Sequence, residues 1–219
     1  MGEAQTVKVL CGYRNITTPE DETKVWNHKA HDAAYQMWTD HDPDKWEKSS
    51  DECADYFREQ LEPVWNKEAL FLEIGCGVGR LTHRLASKED APHFIGIDIS
   101  PRMIDLAKEH QLPNETFVIN DGRTLTDFYQ ADAIYSMLTF QHIPRDAFFN
   151  YIEEIGRVLR PGGLFCFQYV EGDKQDRIAH ESSRYQVIDQ LCSCGLNATV
   201  ANHALMYDKW TWMTGVKRG

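Results

Sequence analysis

Residues 69–80, Ala69-Leu70-Phe71-Leu72-Glu73-Ile74-Gly75-Cys76-Gly77-Val78-Gly79-Arg80, constrain the fold of this chain more than any other stretch. An apolar run carries an acid near its end. Three glycines then alternate with other residues, and a helical pattern follows. Glycine lets the backbone turn tightly and lets a ligand approach the main chain closely. A strand that enters a helix through such a turn is the unit from which open α/β sheets build a crevice for nucleotide-like cofactors. The chain is therefore expected to bind a cofactor of that kind.

The spacing argues against a dinucleotide. In G-x-G-x-x-G the third glycine gives close helix–strand packing. Counting from Gly75 and Gly77, that place is taken by Arg80, and the extra glycine, Gly79, comes one residue early. Glu73 is a second objection, because a carboxylate at the strand end repels a phosphate. It suits a ligand with an ammonium and a sulfonium and no phosphate. The pattern E-x-G-x-G-x-G resembles the first motif of the class I S-adenosylmethionine-dependent methyltransferases. The resemblance implies that Glu73, Gly75, Cys76, Gly77 and Arg80 surround the cofactor.

Later segments follow in the order that family would require. His93-Phe94-Ile95-Gly96-Ile97-Asp98 reads as a buried strand whose final acid stands 25 residues after Glu73. An acid at about that distance commonly accepts hydrogen bonds from ribose hydroxyls. Ser100-Pro101 is a helix start, serine as N-cap and proline as first residue. The resemblance places Ile99 and Met103 around the adenine. A third strand, Thr116–Ile119, ends in Asn120-Asp121-Gly122-Arg123. By the same resemblance, Asp121 takes the adenine amino group, and the backbone N–H of Gly122 or Arg123 takes a ring nitrogen. A fourth strand, Ala131–Ser136, leads into Met137–Pro144, which in the family lines the methionine part of the cofactor and the reaction centre. Ser136 and Met137 are its expected cofactor contacts. The resemblance spans residues 69–170.

The rest of the pattern completes an α/β fold. Strands are expected near 69–74, 93–98, 116–119, 131–136 and 163–170, with helices near 79–87, 101–110 and 145–159. Pro161-Gly162-Gly163 is expected to end the last of these helices. Only Arg123–Gln130 is left between strands three and four, enough for one or two helical turns. Arg184–Cys192 reads as a helix, and Leu196–Leu205 and Trp210–Lys217 as an antiparallel hairpin. The resemblance implies a Rossmann-like seven-stranded sheet in the order 3-2-1-4-5-7-6. Residues 1–65 read as an N-terminal helical extension and lid, and 66–219 as the methyltransferase domain. In the extension one helix is expected from Thr18-Pro19-Glu20 to about Asp40. A break follows at Asp42-Pro43, then a second helix from about Ser49 to Leu61.

Composition narrows the partners. With 34 acidic against 23 basic residues the net charge is −11, and no Lys/Arg run is present, so a nucleic-acid substrate is disfavoured. No apolar stretch approaches the ~20 residues of a membrane span. The polar start Met1–Gln5 leads to the expectation of a cytoplasmic protein. None of the six cysteines forms a C-x-x-C pair, and no metal site is expected. The sequence does not give the oligomeric state.

The acceptor is less legible. On the first helix, Trp26, Ala30, Ala33 and Met37 form one stripe and His28, His31, Tyr35 and Trp38 another, so that helix is expected to pack on two sides. Tyr35, Trp38, Gln141, His142 and Tyr169 are the expected substrate contacts. His142 is the candidate catalytic residue, since it follows strand four and an unperturbed histidine titrates near neutrality. The leading expectation is methyl transfer to an oxygen or nitrogen atom of a small molecule. The alternatives are a protein or RNA acceptor, a non-catalytic S-adenosylmethionine-binding protein, and a nicotinamide-dependent dehydrogenase.

Overall fold

The computed structural model describes residues 19–29, 43–173, 180–201 and 210–219. Eight strands make one sheet: β1 (Leu70–Ile74), β2 (His93–Asp98), β3 (Glu115–Ile119), β4 (Ala131–Ser136), β5 (Leu159–Glu171), β6 (Glu181–Ser182), β7 (Leu196–Ala201) and β8 (Trp210–Lys217). The path is β3-β2-β1-β4-β5-β8-β7, with β6 paired to β5 off the path. Neighbours among β1–β5 run parallel, while β8 is antiparallel to β5 and β7 to β8. This is the expected path; the two-residue β6 only shifts the last two numbers. Two residues leave no readable periodicity in a sequence. The order reverses beside β1, so a crevice opens past the C-terminal ends of β1 and β4.

Six helices are described: α1 (Pro19–Lys29), α2 (Pro43–Gln60), α3 (Arg80–Ala86), α4 (Pro101–Lys108), α5 (Arg145–Val158) and α6 (Arg184–Ser193). α4 starts as its sequence requires: Ser100 Oγ accepts the N–H of Met103 at 3.1 Å, and Pro101 is the first helical residue. α5 buries Phe148, Tyr151, Ile152 and Ile155 against one face of the sheet. α6 adds Val187 and Leu191 to the same layer.

Several local expectations need correction. Pro161-Gly162-Gly163 does not separate α5 from β5. The helix stops at Val158, Leu159 is already extended, and the strand runs through the glycines. The β4–β5 register slips between Ala131↔Leu159 and Ala133↔Leu164, so these residues bulge out of a continuing strand. Residues 123–130 contain turns and no helix. Their backbone is held instead by side chains: Asn120 Nδ2 donates to Thr124 O at 2.7 Å, and the Arg157 guanidinium donates to Leu125 O at 2.7 Å. α2 begins at Pro43, six residues before the expected Ser49. Proline is tolerated at a first helical position, so Asp42-Pro43 announces a start rather than a gap.

Part of the expected N-terminal extension shares the core of the sheet. Cys53, Ala54, Tyr56 and Phe57 of α2, and Leu61 just after it, are buried with Phe71, Leu81, Leu85, Phe94, Tyr135 and Trp212 on the second face of the sheet. The Phe57 ring lies 5.3 Å from Tyr135 and 5.7 Å from Trp212, centroid to centroid. At the helix edge Arg84 pairs with Glu47 and Asp51, and Lys88 with Asp55. α2 is thus one layer of the core and not part of a detachable cover. Phe57→Ala is expected to destabilise the fold by about 3–5 kcal/mol. Urea unfolding measures it, and a loss below about 1 kcal/mol would mean that α2 is peripheral.

Candidate active site

The turn after β1 is built from three left-handed residues: Gly75, Gly77 and Gly79 have φ of 75°, 54° and 79°. The N–H groups of Gly75 and Cys76 both donate to Ile97 O, at 2.8 and 2.9 Å, which fastens the turn to the end of β2. The glycines have different reasons to be there. A Cβ on Gly75 would overlap Thr139, and one on Gly79 would meet His83 Nε2 at 2.6 Å. A Cβ on Gly77 would meet nothing within 4 Å. Gly77 lines the cavity that opens here. Two glycines therefore serve packing, and the third leaves room for a ligand.

The cavity brings together Glu73, Gly75, Cys76, Gly77 and Arg80 with Asp98, Ile99, Met103, Gly122, Met137 and His142. Asp98 sits at its rim. Its Oδ2 accepts the N–H of Gly77 and its Oδ1 the N–H of Ser100, both at 2.9 Å. A carboxylate offers about four lone-pair sites, so beyond the backbone donors of Gly77, Ser100 and Ile99 it keeps capacity to accept from a ligand hydroxyl. Burial pushes the Asp98 carboxyl upward, and the backbone donors of Ser100 and Gly77 offset part of the effect.

Glu73 is buried at 3% exposure. The Thr82 hydroxyl donates to its Oε2. Burial pushes its carboxyl up to about 7, against the pull of Thr82, Arg80 and His83. An acid so placed gains from a cationic ligand, which favours its charged form. Ile97, Ile99, Met103 and Met137 give the cavity an apolar wall. The residues present thus fit a ligand with a cationic centre, a diol and an apolar ring system.

Five expected contacts lie elsewhere. The Asp121 carboxylate is exposed and holds its own turn, accepting from Arg123 N–H at 2.8 Å, Thr124 N–H at 2.7 Å and the Thr124 hydroxyl at 2.8 Å. Burial raises its carboxyl, but the donors of Thr124 and Arg123 outweigh this and leave it below the usual range. Its neighbours Asn120 and Gly122 line the cavity instead. Arg123 is ion-paired with Glu22 at 3.2 Å. The Ser136 hydroxyl donates to Ile74 O at 2.8 Å, tying β4 to β1. Gln141 is buried beside Gln168. Tyr169 is 1% exposed and stacks on Phe148 at 5.8 Å, because its position on β5 faces the α5 layer. Tyr35 and Trp38 lie outside the described residues.

Other cavity residues were not foreseen. Glu22 of α1 is 2% exposed and lines the cavity, and burial raises its carboxyl against the pull of Arg123. Trp26, read only as part of a packing stripe, lines the cavity and meets the His142 ring edge-on at 5.3 Å. Asn27 anchors the same helix: its Oδ1 accepts from the Ser100 hydroxyl at 2.6 Å. Glu22 and Arg123 stand 101 residues apart, a pairing no local pattern announces. Leu138 lines the cavity with φ of 60°, uncommon for a residue with a side chain. Such outliers persist where the surroundings hold them, and they cluster at functional sites.

Residues 71–163 match a family model described as a methyltransferase domain. Over 151 residues the chain is 28% identical to the tRNA N(3)-methylcytidine methyltransferase trm141 of Schizosaccharomyces pombe, covering 65% of this chain and 61% of that one. Over 99 residues it is 31% identical to the trans-aconitate 2-methyltransferase of Methylobacterium radiotolerans, covering 45% of this chain and 37% of that one. The chain therefore spans less than two thirds of either relative. Among solved structures, magnesium protoporphyrin IX methyltransferase from Synechocystis PCC 6803 with bound S-adenosylhomocysteine superposes with a TM-score of 0.66 at 15% identity. That match covers 89% of this chain and 97% of the other.

The raised Glu73 carboxyl gives a signed pH dependence. The folded state holds the Glu73 proton up to about 7, whereas the unfolded chain releases it near the usual 4.5. Its contribution to stability is full below the unfolded value and is lost as pH rises through the folded one. Glu73→Gln keeps the proton-bearing shape at every pH. The ligand-free variant is expected to lose less stability than wild type between pH 5 and pH 8. Urea unfolding across that range measures it, and parallel curves would contradict the assignment.

Proposed function

We propose that this chain, whose residues 71–163 match a methyltransferase-domain family model, transfers a methyl group from S-adenosylmethionine to an oxygen or nitrogen atom of a small molecule. When bound, S-adenosylmethionine supplies a methyl group on a sulfonium, an electrophile that needs mainly positioning. Asp98 holds the ribose hydroxyls through its remaining acceptor capacity. Glu73 stands behind the glycine turn as the carboxylate that favours the cationic part. Gly77 leaves the main chain open to close approach. Ile99 and Met103 flank the adenine. His142 lies at the C-terminal edge of the sheet and orients the acceptor.

The observation that carries the small-molecule reading is α1. It lays Glu22 and Trp26 into the cavity wall and meets His142 with an aromatic edge. This favours an enclosed approach to the methyl group over an open, charged one, and α1 acts as the cover over the site. The net charge of −11 also supports this reading, since nucleic-acid binding relies on cationic surface. A second reading, an RNA acceptor, is favoured by the tRNA-modifying relative. Among the described residues no helix is long and apolar enough to cross a membrane.

Two measurements test these statements. Asp98→Ala removes charge-assisted hydrogen bonds worth about 1.5–3 kcal/mol each. Calorimetry with S-adenosylhomocysteine should show binding weakened at least tenfold, and unchanged affinity would reject the ribose assignment. Labelled methyl donor should mark an acceptor in a panel of small carboxylic acids, phenols and amines. Label that enters only tRNA would establish the second reading.

A further inference from the structure

We propose that Gln168 and Gln141 are positioning residues that hold His142 as the neutral tautomer carrying its proton on Nδ1. The catalytic meaning of this rests on the methyl-transfer reading above; the geometry does not.

One donor beside Gln168 has a fixed identity. Leu138, turned into the left-handed region, donates its backbone N–H to Gln168 Oε1 at 2.7 Å. A backbone N–H can only donate, so the atom it meets on Gln168 is the carbonyl oxygen. The Gln168 amide nitrogen therefore faces the other way, where it donates to Gln141 Oε1 at 2.5 Å. With that oxygen on Gln168, Gln141 presents its own amide nitrogen to His142 Nε2, at 3.2 Å. An amide NH₂ has no lone pair to offer, so Nε2 must accept. A neutral imidazole has one N–H, which then stands on Nδ1. An imidazolium would set N–H against N–H.

Burial makes this polarity hard to reverse. Gln168 is 0% and Gln141 4% exposed. Turning either amide would leave a buried donor facing a donor. The direction set at Leu138 is thus passed through two side chains to the ring that lines the cavity.

The consequence concerns the acceptor. The Nε2 lone pair is already committed, and Nδ1 carries a proton, so His142 is a hydrogen-bond donor and not the base. The acceptor must arrive with its lone pair available, as an ionised oxygen or an unprotonated amine. That lone pair forms the bond to the methyl carbon while the carbon–sulfur bond breaks and its electrons stay on sulfur. An ionised oxygen then yields a neutral product and releases no proton. An amine loses its proton to water after transfer.

The test reads the ring directly. Long-range ¹H–¹⁵N correlation of the ¹⁵N-labelled full chain distinguishes the two tautomers and the imidazolium, and His142→Gln identifies the signal. At pH 7.5 wild type is expected to show a protonated Nδ1 and a bare Nε2. Gln141→Glu keeps the shape but replaces the donor by a carboxylate oxygen, and the proton is expected to appear on Nε2. A wild-type ring protonated on Nε2 would overturn the proposal. So would an unchanged pattern in Gln141→Glu with native circular dichroism. If that variant does not fold, the wild-type spectrum alone decides. Absence of methyl transfer to any small acceptor, with the tautomer as stated, would retire the functional reading and leave the relay standing.

Discussion

One carbonyl oxygen organises the site. Ile97 O receives the N–H groups of Gly75 and Cys76 together and so pins the first turn to the end of β2. Gly75 is left-handed in this turn, a conformation that glycine adopts without steric penalty. The same clamp brings Gly77 N–H within reach of Asp98, the residue that follows Ile97 and ends β2. Loop, acid and cavity mouth are therefore fixed relative to one another by backbone geometry. Side chains such as Met103 then fill in the wall.

The polar groups around that mouth divide into two sorts. Asp98 is partly satisfied and keeps acceptor sites for a ligand. Glu73 is deeply buried and its donors come from Thr82, so its charge is favoured most when a cation is near. Asp121, which resembles them in sequence, has spent its carboxylate on three donors of its own turn. The difference lies in where the backbone leaves each acid and not in the acid itself.

The N-terminal segment separates into parts with different physical roles. α2 contributes Tyr56 and Phe57 to a layer shared with Phe71, Tyr135 and Trp212. α1 reaches the sheet's crevice through polar anchors, Asn27 on Ser100 and Glu22 on Arg123. Apolar burial holds the first part, while the second is held by hydrogen bonds and an ion pair at the edge of the cavity.

The sheet order was an expectation from the family resemblance, whereas the strand–helix alternation and the glycine turn with its two acids were determined by the sequence itself. These depend on local rules: apolar runs, caps such as Ser100-Pro101, and dihedrals only glycine adopts readily. It did not determine which side chains turn inward. Arg123, Gln141 and Tyr169 have suitable chemistry and suitable chain positions, yet each is drawn to a partner that no local pattern reveals. Glu22 enters the cavity because Arg123, far along the chain, takes one of its oxygens. The tautomer of His142 is set by an N–H of Leu138 and an amide on β5, joined only when β4 and β5 pair. Periodicity records neighbours three or four residues apart, whereas side-chain direction is settled by contacts between distant segments that only tertiary structure brings together.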